Sequence, residues 1–153
     1  MQLTTHTDYA LRLLIYLAVQ DSDTALTVQD AARRYGISTN HLAKVAQNLV
    51  QHGYITSQRG RGGGLSLTHD PAAINIGEVI REIESFNLVE CFSEDSMCRI
   101  EEDCKLAKAI GEAREAFLQA LERYTLADLT HPRAKIIKLL SLVDSTRKQG
   151  RKS

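Results

Sequence analysis

No stretch of about 18 consecutive apolar residues occurs in the chain, so no membrane-spanning helix and no membrane partner are expected. The N-terminus lacks a basic region followed by an apolar core, so no secretory signal peptide is expected either. The expected compartment is therefore the cytoplasm, where thiols stay reduced. Internal repeats and low-complexity segments are also absent. The five histidines, His6, His41, His52, His69 and His131, show no metal-type spacing, and neither a Ser-His-Asp set nor a phosphate-binding G-x-x-x-x-G-K-[ST] sequence is present. These absences weigh against an enzyme, including a redox or electron-transfer enzyme, which would need a catalytic pair or a cofactor pocket.

Net charge is lacking too: 19 Lys and Arg balance 19 Asp and Glu. That argues weakly against a nucleic-acid partner, but the distribution matters more. Residues 78–128 carry thirteen acids against six bases, residues 131–153 seven bases against one acid, and residues 1–70 six bases against five acids, so a local basic patch can still form. With 153 residues, 43% of them hydrophobic, the chain is one modest domain, or a small domain with an oligomerisation arm.

What is present is concentrated in one stretch. Cys91, Cys98 and Cys104 are the only cysteines, and they fall within fourteen residues set among acidic and polar neighbours. A buried structural cysteine normally sits in an apolar periodic segment, and an intracellular chain with an odd number of thiols has little use for disulfides. Three convergent thiolates suit a soft metal or an iron–sulfur cluster. No CxxC pair sharpens that reading, and a flexible loop with incidental thiols competes with it.

The chain before this stretch predicts helices and a hairpin. A first helix, capped by Thr7, carries Tyr9, Leu11, Leu13, Leu14, Ile15, Leu17 and Ala18, apolar on most sides, and is expected to end in a loop at residues 21–23. Thr27 and Asp30 form a capping box for a second helix, Gly36 supplies a left-handed terminator, and Ser38 caps a third helix with Leu42, Val45, Ala46, Leu49 and Val50 at helical spacing. Helix, short glycine turn, helix is the helix-turn-helix plan. It places Ser38, Thr39, Asn40 and His41, with Lys44 one turn on, at the end that reads a DNA major groove. An ordinary helical hairpin with solvated caps is the alternative.

Residues 54–59 and 65–68 alternate like strands around a glycine-rich turn, residues 60–64, which predicts a wing. Arg59 and Arg61 supply charge there, while Gly62 and Gly63 allow a close approach of backbone to phosphate or groove. Asp70-Pro71 opens a short turn, and Asn75, with Glu78 as box partner, caps a helix carrying Ile76, Val79, Ile80 and Ile83. After Cys104 comes a long stripe, Leu106, Ala109, Ile110, Ala113, Phe117, Ala120, Leu121 and Tyr124, which predicts a helix crossing its counterpart in a second subunit; core packing within one subunit competes. Thr125 and Asp128 form a further capping box, and Ile136, Ile137, Leu139, Leu140 and Val143 a last amphipathic helix before a basic tail.

The expected fold class is therefore mainly α with a small β-hairpin: a winged helix-turn-helix DNA-binding domain over 1–86, a cysteine loop over 87–104, a dimerisation helix and C-terminal helix over 105–145, and a disordered basic tail over 146–153. Thr7-Asp8-Tyr9, the residue 59–64 wing, residues 76–81, Leu88-Val-Glu-Cys91, residues 124–129 and the three late cysteines together resemble the winged-helix iron–sulfur regulators, over roughly residues 1–143. The likeness is strongest to the nitric-oxide-sensing repressors of that family. The cluster-assembly branch places a ligand histidine three residues after the last cysteine, where this chain has Ala107. The resemblance implies a homodimeric repressor binding double-stranded operator DNA, with nitric oxide as effector and nitric-oxide detoxification genes as targets. It implies one iron–sulfur cluster per subunit, 4Fe–4S or 2Fe–2S, on Cys91, Cys98 and Cys104, with Asp8 reaching across from the partner subunit. A regulator answering to iron or redox state is the alternative.

Overall fold

The computed structural model describes residues 2–21 and 25–149, without the side chains of 101 and 142–149. Seven α-helices and one hairpin follow in order: α1 (Thr5–Val19), α2 (Val28–Tyr35), α3 (Thr39–Gln51), β1 (Ile55–Ser57), β2 (Leu65–Leu67), α4 (Ile76–Ile83), α5 (Lys105–Leu121), α6 (Leu126–Leu129) and α7 (Arg133–Gln149). Short 3₁₀ turns lie at Pro71–Ala73, Glu90–Phe92 and Glu101–Asp103. The class is the expected one, mainly helical with a two-stranded antiparallel hairpin.

The helix α1 is the axis of the core. Ala10, Leu13 and Leu14 are fully buried and Leu17 nearly so. Against them pack Ala31 and Ala32 of α2, Leu42, Val45 and Leu49 of α3, Ile55 and Leu65 of the hairpin, and Ile76, Val79 and Ile80 of α4. Leu118 of α5 and Leu126 of α6 join the same cluster. The N-cap of α1 is Thr4, not the expected Thr7: the Thr4 hydroxyl accepts from the Thr7 amide, and Thr7 is fully buried. The expected cap failed because both threonines satisfy the local rule, whereas the choice is made by a distant carboxylate: Glu84 Oε2 accepts from the Thr4 amide at 2.8 Å and from its hydroxyl at 3.1 Å. α1 ends at Val19; of the expected terminating loop only Asp21 lies among the described residues.

The other caps fall where the residue types place them. Thr27 and Asp30 complete a capping box, and Gly36 takes φ 67°, the left-handed conformation that lets α2 stop and α3 begin at its Ser38 cap. Thr125 and Asp128 form the second box. Asn75 accepts from the Glu78 amide, one half of the expected box, while its side-chain amide donates to the Glu122 carbonyl at 2.6 Å. The strands are shorter than expected, three residues each, with Ile55 opposite Leu67 and Ser57 opposite Leu65. The last helix continues to Gln149, past residue 145 where the sequence reading ends it; residues 150–153 lie outside the described residues.

α4 approaches α5 closely at Gly77. A Cβ there would meet the Glu122 side chain and lie 2.6 Å from the Glu122 nitrogen and 2.8 Å from its Cα. Because backbone stands in the way, Gly77→Ala should lower stability by about 1–3 kcal/mol in urea titration. Gly111→Ala on α5, where the added carbon would stand 3.9 Å from the Phe92 ring, should be neutral or stabilise by up to about 1 kcal/mol. Equal losses in the two variants would refute the close-approach explanation.

The α1–α2 contact carries a pH dependence. Tyr35 sits edge-on to Tyr16 and under the Arg12 guanidinium. Burial pushes its hydroxyl up from 10.0 to about 12, Arg12 offsetting part of the rise. The folded state thus holds the proton more tightly than the unfolded chain. The resulting contribution is complete below about pH 10 and is lost as pH rises towards about 12. Stability measured across that window should fall less steeply in Tyr35→Phe than in the parent.

Candidate functional site

Two regions carry the chemistry. The first is built on α3 and the hairpin. Leu42, Val45, Ala46 and Leu49 bury one face of α3 and so fix its roll. Ser38, Thr39, Asn40, His41 and Lys44 are consequently exposed on its opening turns. Ser38 accepts from the His41 amide at 3.4 Å. His41 is braced from behind: its ring meets Tyr9 of α1 edge-on, centroids 5.1 Å apart. A second tie joins the same helices, His6 Nε2 to Asn48 Oδ1 at 3.1 Å. The composition gave no signal for either contact, since both link residues more than thirty positions apart.

The hairpin tip turns through Gly60 and Gly62, with φ of 101° and 78°. A Cβ on Gly63 would run into the Gln58 carbonyl, so only glycine closes this turn. The base of the wing is tied back by the Leu65 amide donating to the Leu26 carbonyl at 2.6 Å. Arg59 and Arg61 are exposed, and among the described residues neither they nor Lys44 makes an ion pair. The arrangement offers unanswered cations and hydrogen-bonding side chains on one rigid edge, which is what phosphate and base-edge contacts require.

The second region is the thiol stretch between α4 and α5. Cys91 lies in the 3₁₀ turn Glu90–Phe92, Cys98 in the irregular segment between turns, and Cys104 at the N-cap of α5. All three are half-buried and line one cavity of about 180 Å³, walled by Val89, Ile100, Leu106 and Ala107. The Cys98 amide donates to Ser96 Oγ at 3.4 Å, and the Ala107 amide donates to Cys104 Sγ at 3.4 Å. The donor set and its apolar wall suit a soft-metal or iron–sulfur group. The fit is incomplete, since among the described residues no three His, Cys, Asp or Glu side chains converge closely enough to hold a metal ion.

Asp8 is not in this cavity. It lies on the first turn of α1, with Oδ1 3.1 Å from Arg12 Nε and Oδ2 2.8 Å from its NH2. Both side chains are more than two-fifths exposed, so the pair is worth only about 0.2–1 kcal/mol and is readily broken. Arg12 was not singled out from the sequence, although its position four residues after Asp8 is the signal. Phe92 and Arg114 beside the cavity were likewise missed. Among the acids near the thiols, Glu90 lines the cavity and accepts from the Met97 amide at 3.3 Å.

Tyr54 adds a further tie under α3. Its hydroxyl donates to Glu82 Oε2 at 2.7 Å, with His52 Nδ1 3.6 Å from the same oxygen. Burial, then the bond to the Glu82 carboxylate, raise the Tyr54 hydroxyl well above its ordinary value, so it stays a donor. The start of the wing is thereby fixed to α4.

Against this geometry stand the known proteins. Residues 3–132 match the Rrf2 family, described as an iron-dependent transcriptional regulator. The chain is 46% identical over 144 residues to the HTH-type transcriptional regulator NsrR of Bacillus subtilis, covering 93% of this chain and 99% of that one. It is 46% identical over 143 residues to the NsrR of Bacillus licheniformis, covering 92% and 100%. Among solved structures it is similar to CymR, the global cysteine regulator of B. subtilis, with a TM-score of 0.65 and 27% identity over 84% of this chain and 95% of that one. T. potens IscR superposes with a TM-score of 0.64 and 25% identity, covering 84% and 85%. These relatives agree with the resemblance carried by the wing, the residue 76–81 motif and the late cysteines. They are regulators, not enzymes, and the chain belongs to the Rrf2 family of transcriptional regulators.

Proposed function

We propose that the chain is a homodimeric DNA-binding repressor that senses nitric oxide through an iron–sulfur cluster, 4Fe–4S or 2Fe–2S, one per subunit. The observation that carries this reading is the apolar cavity that Cys91, Cys98 and Cys104 line together in the connection between α4 and α5. The relatives named NsrR support it. When bound, the cluster supplies the centre that reacts with nitric oxide. Cys91, Cys98 and Cys104 are its thiolate ligands, and Asp8 of the partner subunit the fourth. A carboxylate is a harder donor than thiolate and holds iron less firmly, which leaves one position open to exchange.

The α5 stripe supports the dimer. Of its residues, Phe117 and Leu121 pack against the chain's own core, with Phe117 edge-on to Phe86, whereas Leu106 is 65% exposed and Ile110 half-buried. In the proposed dimer the exposed part of the stripe is matched by the same face of a second subunit. The iron-dependent description of the family favours a second reading, a cluster answering to iron or redox state. Anaerobic titration of the loaded protein with nitric oxide, oxygen and a thiol oxidant separates the two, since only the first reading requires operator release by nitric oxide at low stoichiometry.

On DNA, Ser38, Thr39, Asn40 and His41 read bases, Lys44 and the wing residues Arg59, Arg61, Gly62 and Gly63 hold the backbone or minor groove. Asn40→Ala should weaken operator binding by about 1–3 kcal/mol, concentrated at one base position. Arg61→Ala should weaken operator and nonspecific DNA alike and make the logarithmic salt slope shallower by about one unit. An unchanged isotherm and slope for Arg61→Ala would remove the wing from the interface.

The ligand set is tested by absorption spectra of protein purified without oxygen. Cys98→Ala should be colourless. Asp8→Ala should keep a visible band with altered shape and an altered rate of reaction with nitric oxide. A spectrum and rate identical to the parent would pass the fourth ligand to one of the acids beside the cysteines, Glu90 first.

A further inference from the structure

Cys91 and Phe92 are neighbours in one 3₁₀ turn, yet they serve two different surfaces. Cys91 lines the thiol cavity. Phe92 lines a separate cleft with Phe86, Arg114 and Leu118. Three residues per turn direct successive side chains about 120° apart, so fixing one of the pair aims the other. The Phe92 ring is seated on α5. A Cβ on Gly111 would lie 3.9 Å from its Cζ, and the Arg114 guanidinium carbon stands 5.2 Å from its centroid. Gly111 and Arg114 are three residues apart and so share a face of the helix.

The Val89 cap makes no side-chain bond, and the turn's backbone bonds are local: the Phe92 amide to the Val89 carbonyl, and the Ser93 amide and hydroxyl to the Glu90 carbonyl. The Glu90 carboxylate accepts from the Met97 amide at 3.3 Å, within the same stretch. Arg114 is itself oriented, its NH2 3.5 Å from Glu115, which Arg81 of α4 grips at 2.9 Å.

We propose that Phe92 and Arg114 are positioning residues, a latch that holds the Cys91 arm on α5 and aims the Cys91 thiol into the cavity shared with Cys98 and Cys104. The latch belongs to the chain itself; its use rests on the reading of these thiols as cluster ligands. It gives the first cysteine a fixed place before any group is bound, whereas Cys104 is placed by α5 directly.

The test uses the metal-free full-length chain under native conditions. Iodoacetamide labelling, quenched over time, is read cysteine by cysteine by mass spectrometry. Arg114→Ala should speed labelling of Cys91 relative to Cys104 by roughly 2–5-fold, the scale of one exposed cation–π contact. Phe92→Ala should speed it at least as much, and Arg114→Lys, which keeps a cation over the ring, should stay near the parent. An unmoved Cys91, an equal acceleration of all three thiols, or a lysine variant that behaves like the alanine one would each overturn the latch. In a second arm the chains are reconstituted with ferrous iron and sulfide and challenged with a chelator, where the Ala variants should lose visible absorbance faster. A parent chain that takes up no colour would sink the cluster reading, while the labelling result would still decide the latch.

Discussion

The close approach of α4 to α5 at Gly77 and Glu122 is the constraint on which the two halves of the molecule depend. Hydrogen bonds to backbone carbonyls reinforce it: the Asn75 side-chain amide donates to the Glu122 carbonyl, the Ile76 amide to the Tyr124 carbonyl, and the Leu126 amide to the Ile74 carbonyl. The Arg81 fork adds Glu115 and Glu122, but these groups are about one-third to two-fifths exposed, so solvent screens the pairs and they contribute little. The approach therefore relies on a missing Cβ and on backbone hydrogen bonds more than on charge. It matters because the thiol stretch is the connection between these same two helices. The cavity walls, Val89 on one side and Leu106 and Ala107 on the other, are set by how α4 and α5 lie together.

α1 supplies the second fixed body. It runs through the core with its buried leucines facing α3 and the hairpin, and its N-terminal turn is pinned to the end of α4 by Glu84. The same turn carries Asp8 on its outer side and Tyr9 against His41. One rigid turn thus touches the recognition edge and the end of the helix that leads into the thiol stretch. Close-packed interiors of this kind have low compressibility and transmit strain between the elements they join.

Local chemistry was legible and tertiary choice was not. Thr27 with Asp30, Gly36, Ser38, Asn75 and Thr125 with Asp128 each mark a helix end through bonds spanning three or four residues, which residue types at fixed spacing reveal. The hairpin was visible for the same reason, though its strands proved shorter than the alternation. Thr4 was passed over for Thr7 because the deciding partner, Glu84, lies eighty residues away. At Asn75 the side-chain oxygen caps the helix as its spacing predicts, while the side-chain amide donates to the Glu122 carbonyl forty-seven residues away, which no local spacing reveals. The α5 stripe was seen, but the residue of α5 that the chain buries fully is Leu118, outside the stripe, with Phe117 and Leu121 of the stripe packed beside it against the core. At the candidate sites the residue types pointed to the chemistry, while the supporting residues Arg12, Tyr9, Phe92 and Arg114 carry no pattern outside the folded chain.

Zero net charge is compatible with DNA binding if some cations are left unanswered where the DNA would lie, and among the described residues the ion pairs leave three on the edge formed by α3 and the hairpin. Arg12, Arg81, Arg114 and Arg133 are each engaged by carboxylates. Lys44, Arg59 and Arg61 are not, and they stand on the recognition edge. If each of these three neutralises one phosphate, a single subunit gains a logarithmic salt slope of roughly −2.7, whereas two subunits on one site reach about −5. A neutral chain adds no diffuse positive field to that share. In the proposed dimer, pairing two subunits on one operator doubles the share, and the spacing of the two α3 helices then bears on how tightly DNA is held.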